Sequence, residues 1–167
     1  MPAQPLRAVP GGRVAPAAPR VAFCGHCGKP PADGLVPQVG SRVCIRCNLG
    51  LLLDAPAAIA PKANEAFVVV DRALAVCGLS RRAEKVLGVR EVDVVDRHVT
   101  DLLIPADAES AAGRPHGLSA VLVAATLGSE EPATMVLRPA DEFGVRFTAR
   151  VGPCGPSPGA LVVLELG

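Results

Sequence analysis

The sequence predicts an α+β chain in two parts: a small metal-held module near the N-terminus, then a body in which two strands lead into helices and three strands follow. Three observations carry this reading. Cys24, Cys27, Cys44 and Cys47 fall as two Cys-x2-Cys pairs separated by sixteen residues. Apolar side chains recur at helical spacing between Leu79 and Gly128, and Val145, Phe147, Ala149 and Val151 alternate with polar neighbours at the spacing of a strand.

The cysteines come first because their spacing is the most specific signal. Each pair can wrap one side of an ion, and four thiolates close a tetrahedral shell with no position left for a substrate, which points to a structural Zn2+ site. Gly25 and Gly28 flank the first pair, and Asn48 and Gly50 follow the second. These residue types accept tight turns, often with positive φ. Two disulfides would instead suit an exported chain, but the sequence opens without the apolar run of a secretory signal, and a cytoplasmic thiol pair stays reduced; iron or redox chemistry at the four cysteines is the remaining alternative. His26 lies inside the first pair; four cysteines already suffice, so it is expected outside the ligand shell.

The 167 residues are 50% hydrophobic and 20% charged, room for one ordinary domain beside a small metal module. Trp and Tyr are absent and only four Phe are present, so the core must be largely aliphatic. Residues 1–63 carry seven Lys/Arg and two Asp, a surplus of five, whereas the remainder carries ten basic and fourteen acidic residues, a deficit of four. A Zn2+ ion on four thiolates contributes −2 and lowers the front surplus to three, weak support for nucleic-acid affinity, which needs a clustered basic face. No stretch reaches the roughly 18 to 20 apolar residues that span a bilayer, so a cytoplasmic protein with no membrane partner is expected.

Residues 1–20 are rich in Pro and Ala and cannot offset the entropy of ordering, so they read as a disordered tail. Residues 21–54 form the metal module. Its core is too small to fold unaided, and metal coordination must supply on the order of 10 kcal/mol. The second cysteine pair runs into Leu49, Leu51, Leu52 and Leu53, which are predicted to pack against the next domain or a partner. Residues 55–64 are a Pro/Ala connector.

The body, 65–167, opens with Ala66–Val70 as a buried β-branched strand, a turn at Asp71-Arg72, and Leu74–Cys77 as the returning strand. Ser80 caps a short helix whose apolar face is Leu79, Ala83, Val86 and Leu87 and whose stop is Gly88. Thr100 is read as the cap of a brief helix through Leu102, Leu103 and Ile104, ended by Pro105. Residues 106–117 read as a loop, and Leu118, Val121, Leu122 and Ala125 mark a longer helix closed by Gly128. Thr134–Arg138, Val145–Val151 and Ala160–Leu166 are the closing strands, with a Pro/Gly turn at 152–159.

That order resembles the PAS domain. Phe67-Val-Val-Val-Asp71, then Val76 and Ser80, Ala83-Glu84 and Leu87-Gly88 are similar to the family's opening of hairpin, capped helix and glycine stop. Asp101-Leu-Leu-Ile-Pro105 and the closing three-strand meander extend the resemblance over residues 65–167. The front part resembles a zinc ribbon, and the pair resembles small bacterial, actinobacterial proteins of unassigned role. The resemblance implies a five-stranded antiparallel sheet with helices on one face, a space between them that holds either a small ligand or side chains, and an outer sheet face used for self-association or for docking a partner.

Flavin-binding PAS domains of the light-sensing class carry an Asn-Cys-Arg-Phe-Leu-Gln helix, and no such motif occurs here, so no flavin is expected; Cys77 falls on a predicted strand and Cys154 in a turn. Haem needs an axial ligand on the long helix, while His98 and His116 lie before it and read as surface residues, so no haem is expected. Cys77 as a redox sensor competes with Cys77 as a small buried hydrophobe. Glu84, Glu130, Glu131, Asp141 and Glu142 read as surface charges without a convergent nucleophile, so an enzyme is not expected. Two binding functions remain. In one, a signalling or transcription-linked regulator senses a ligand or associates through its PAS domain and docks a protein partner on the ribbon. In the alternative, the ribbon binds nucleic acid through residues such as Arg42 and Arg46 and the PAS domain dimerises, although Phe23 is the ribbon's only candidate stacking aromatic.

Overall fold

Two antiparallel sheets share one buried seam. The structure, a computed structural model, describes residues 18–31, 42–106 and 117–165. The Pro/Ala tail up to residue 17, residues 107–116 of the expected loop, and His116 lie outside them. Strand β1 (Arg20–Cys24) pairs with β2 (Leu52–Pro56) in a cysteine lobe, with Cys24 opposite Leu52.

The body is a six-stranded antiparallel sheet in the order β4-β3-β8-β7-β6-β5. Its strands are β3 (Ala66–Val70), β4 (Val76–Leu79), β5 (Leu103–Pro105), β6 (Ala133–Pro139), β7 (Phe147–Cys154) and β8 (Gly159–Glu165). The helices are α1 (Arg81–Leu87), α2 (Glu91–Val94) and α3 (Leu118–Thr126). This is the α+β architecture that the sequence led us to expect, an antiparallel sheet with helices on one face, with one strand more. The additional strand is β5, where the sequence suggested helix. A 3-10 turn occupies only Val99–Asp101, and the Leu103–Pro105 backbone then pairs with Leu137–Pro139 at the sheet edge. An edge suits Pro105, which has no N–H to give to a further strand.

The capped helix forms as expected. Ser80 Oγ accepts from Ala83 N–H at 3.1 Å, and Gly88 ends α1 at φ 66°. The return strand begins two residues later than expected because Leu74 adopts φ 62° and Asp71 Oδ1 accepts from the Ala73 and Ala75 amides, which lengthens the turn. Helix α2 was not foreseen; its Glu91 amide is capped by Glu84 Oε1 at 2.8 Å, from the preceding helix.

Alternate residues of the central strands divide between two cores. Val68, Val70, Ala149, Val151, Val162 and Leu164 face the helices, where Leu79, Leu103, Leu118, Leu122 and Leu137 fill the space between the two layers. Phe67, Val69, Leu161 and Val163 face the other way and pack under Phe23, Ala55 and Ile59. The cysteine lobe and connector thus cover the outer face of β3, β8 and the end of β7. Ile59, in the stretch read as a plain connector, is fully buried, and a Cβ at Gly152 would stand 2.6 Å from it.

Candidate metal centre

The two cysteine pairs sit on two turns that the paired strands bring face to face. In the first, Gly28 N–H bonds to Cys24 carbonyl oxygen at 2.9 Å with Gly28 at φ 71°. In the second, Asn48 N–H bonds to Cys44 carbonyl oxygen at 2.8 Å with Asn48 at φ 56°. The left-handed positions anticipated at both turns are therefore Gly28 and Asn48. Gly50 serves a different purpose, close approach: a Cβ there would lie 2.4 Å from Cys24 Sγ and 2.7 Å from the His26 amide nitrogen.

Cys24, Cys27, Cys44 and Cys47 present sulfurs that all lie within 4.8 Å of one another. The closest cross-turn pairs are Cys24 and Cys47 at 3.6 Å, and Cys27 and Cys44 at 4.0 Å. All four are free thiols, since a disulfide needs a separation of about 2.05 Å. Sulfurs held tetrahedrally 2.3 Å from one ion stand about 3.8 Å apart, so the observed spacing is compatible with a metal ion among them. Amide donors surround the cluster: His26 and Cys27 N–H approach Cys24 Sγ at 3.4 Å, and Gly50 N–H approaches Cys47 Sγ at 3.5 Å. Such donors stabilise thiolate charge.

The protons are unequally held. Desolvation pushes Cys24 up to about 12 and also raises Cys27. Desolvation acts on Cys47 too, but the Gly50 and Leu49 amides and the Cys24 and Cys44 thiols outweigh it and bring Cys47 down to about 6. An ion that binds all four must therefore displace protons from Cys24 and Cys27. His26 lies outside the sulfur cluster; its carbonyl oxygen accepts from Arg81 N–H at 2.8 Å, which ties the first turn to the start of α1.

The remaining candidates are separated from this centre. Cys154 lies on β7 rather than in a turn; it is buried against the outer-face core, and burial pushes its thiol up to about 12. Cys77 is on β4 as expected but is exposed rather than buried. The register shift between Val69 and Val70 pairs Gly78 and Val76 with β3 and leaves Cys77 between them, its thiol donating to Val69 carbonyl oxygen at 3.5 Å. Desolvation of the sulfur and the nearby Asp71 raise it to about 11, so little reactive thiolate exists near neutral pH. His98 is exposed and caps the 3-10 turn through Thr100. Glu130, Glu131, Asp141 and Glu142 are exposed, and Glu84 caps α2.

Sequence reasoning missed a cleft of about 640 Å³ between the cysteine lobe and the sheet. Leu49, Leu51 and Leu53 form one wall and Val69, Cys77 and Gly78 another. The sequence signal was the leucine run, whose members divide: Leu53 packs on the outer-face core, Leu52 is half-buried, and Leu49 and Leu51 are exposed.

No family model matches this chain, and no curated protein matches it. Among solved structures it is similar to the photoactive yellow protein domain of the sensor histidine kinase Ppr from Rhodospirillum centenum, at 16% identity over 62% of this chain and 86% of that one, TM-score 0.44. It is also similar to the PAS domain of nitrogen regulation protein NR(II) from Vibrio parahaemolyticus, at 16% identity over 61% and 88%, TM-score 0.43. The PAS domain of an HTR-like protein from Haloarcula marismortui matches at 12% identity over 60% and 79%, TM-score 0.43. These likenesses give no support to an actinobacterial origin.

Proposed function

We propose that the chain is a non-enzymatic signalling or transcription-linked regulator. Cys24, Cys27, Cys44 and Cys47 hold a structural Zn2+, the PAS-like body senses a small ligand or mediates association, and the ribbon docks a protein partner. The observation that carries this reading is the division of the ribbon into a buried and an outward side. Phe23 is 2% exposed and meets Phe67 edge-on, with ring centroids 5.5 Å apart, whereas Ile45 and Leu49 on the second turn are 63% and 68% exposed. A lobe clamped to the sheet by one side and apolar on the other is built to present a surface. Four sulfurs leave no open coordination position, in keeping with a structural role for the ion.

Exposed Arg42, Arg46 and Lys29 favour the second reading, a nucleic-acid-binding ribbon. Against it stands Phe23: the ribbon's one aromatic is spent in the seam and offers no base a stacking platform. Self-association through the sheet is restricted to the part of the outer face that the lobe leaves open, around Thr134, Val136 and Thr148.

Native mass spectrometry of freshly purified, reduced protein tests the reading in one spectrum. One zinc per chain is expected, with a retained small molecule or a defined oligomer; a chain with less than one equivalent of zinc would overturn it.

A further inference from the structure

The docking role proposed above leaves open what docks, and the surface of the second turn narrows it. Val43, Ile45, Leu49 and Leu51 are 44%, 63%, 68% and 52% exposed, all within nine residues of chain. Val43 and Leu51 face each other across an isolated antiparallel bridge, which makes one continuous strip from them. Leu49 and Leu51 also line the cleft beside the sheet, so the strip ends in a concavity large enough to receive an apolar side chain.

The unpaired charges that the lobe's described residues set around this strip are of one sign. Among the described residues of the lobe, Arg20 and Asp54 pair with each other, and every other charged side chain is an exposed cation: Lys29, Arg42 and Arg46. Arg42 lies at the cleft and Arg46 spans back to the Pro30 carbonyl oxygen at 3.3 Å. Asp71 and Glu91 on the opposite wall already accept backbone amides, from Ala73 and Ala75 and from Leu79. Three cations around a centre of four thiolates and a divalent ion leave a net charge near one, which is poor for accumulating phosphate contacts. Guanidinium binds carboxylate and phosphate alike through directed donors, so what favours a carboxylate-bearing protein segment is the exposed apolar strip beside Arg42 and Arg46, which a phosphate backbone does not use.

We propose that the second cysteine turn docks an acidic amphipathic segment of a partner protein, seating a leucine-sized side chain against Leu49 and Leu51 and placing carboxylates on Arg42 and Arg46. Among its described residues the lobe sets only unpaired cations beside this apolar strip, and the complement of that is an apolar face edged by acids, whose carboxylates must lie on the lobe side of the cleft, away from Asp71 and Glu91.

Fluorescence anisotropy on the metal-loaded full chain tests this with two labelled synthetic peptides, one with Leu at helical spacing and Glu between, the other with Lys in place of every Glu. The Glu peptide should bind at least about tenfold more tightly than the Lys peptide. Leu49→Asp with Leu51→Asp should abolish binding, and Arg42→Glu should reverse the preference between the peptides while the zinc stoichiometry stays unchanged. Equal binding of both peptides, or no binding of either, overturns the proposal. Tighter binding of a duplex oligonucleotide that displaces the Glu peptide overturns it in favour of nucleic acid. If neither peptide binds to a chain that retains its zinc, the partner chemistry is wrong and the regulatory reading stands; a chain that holds no zinc sinks that reading instead.

Discussion

Replacing Gly50 by alanine puts a methyl group 2.4 Å from Cys24 Sγ and 2.7 Å from the His26 amide nitrogen. Ordinary contact begins at about 3.4 Å, so the sulfur or the turn must retreat by about 1 Å, several times the ±0.2 Å within which metal–ligand distances are held. The obstacle is a thiol and a backbone amide rather than the tip of a flexible side chain, so local rotation cannot absorb it. Disturbing groups that support a ligand typically lowers metal affinity by about 10- to 100-fold, and this clash falls on a proposed ligand itself, so Gly50→Ala should reach the upper end, about 100-fold. Competition with a chromophoric chelator measures it. Gly25→Ala is the control, because its Cβ meets chiefly Leu53 Cδ1 at 3.1 Å, which can swing away. A Gly50→Ala chain that holds zinc within about threefold of the parent would refute the argument that close approach at Gly50 shapes the cluster.

Metal removal by a chelator should unfold the lobe, open the Phe67–Val163 face to dye binding, and speed hydrogen exchange at the Arg81 amide, which loses its His26 acceptor while the α1 cap at Ser80 remains. Unchanged Arg81 exchange would show that the turn and α1 are not coupled. Phe23→Ala removes a side chain that is 2% exposed and should cost about 3 to 5 kcal/mol in urea unfolding; a loss below about 1 kcal/mol would mean that the seam is loosely packed. At Glu65, desolvation raises the carboxyl, but Arg150 and the Lys62 amide outweigh it and hold it below its ordinary 4.5. A depressed acid stabilises the fold above its unfolded value and loses that contribution as pH falls through the folded one, so Glu65→Gln should flatten the acid limb of the stability profile below about pH 4.5 and leave the neutral region's slope alone.

Local rules made much of this legible. The cysteine spacing, the Ser80 cap and the Gly88 stop depend on near neighbours, and each forms where short-range chemistry places it; the three closing strands form too, but β7 is shifted to Phe147–Cys154 because Gly152–Cys154 pair with β8, which takes three residues from the expected turn. Elements fixed by distant partners were harder to read. Leu103–Pro105 is a strand only because β6 lies beside it, and α2 is a single turn held by Glu84 from another helix. The cleft was invisible because its walls come from residues far apart in the chain. One long-range feature did leave a local trace. Ala66–Val70 and Gly159–Leu164 are apolar without alternation, which an antiparallel strand with one wet face would not tolerate, so both faces had to be covered.

What covers the second face determines how the two parts can communicate. Cys24 in the cluster is adjacent in sequence to Phe23, whose ring meets Phe67. Phe67 is also bound through its backbone: its amide donates to Ser80 Oγ and its carbonyl oxygen accepts from Ser80 N–H, both at 3.0 Å. Ser80 in turn caps α1, and the next residue, Arg81, donates to His26 between the two cysteines. The cluster, the outer-face core and the start of α1 thus close a ring of contacts. Displacement of the first cysteine turn cannot stay confined to the lobe, because it either pulls the Arg81 amide from its acceptor or carries α1 with it, and α1 rests on the helix-side core through Ala83 and Leu87.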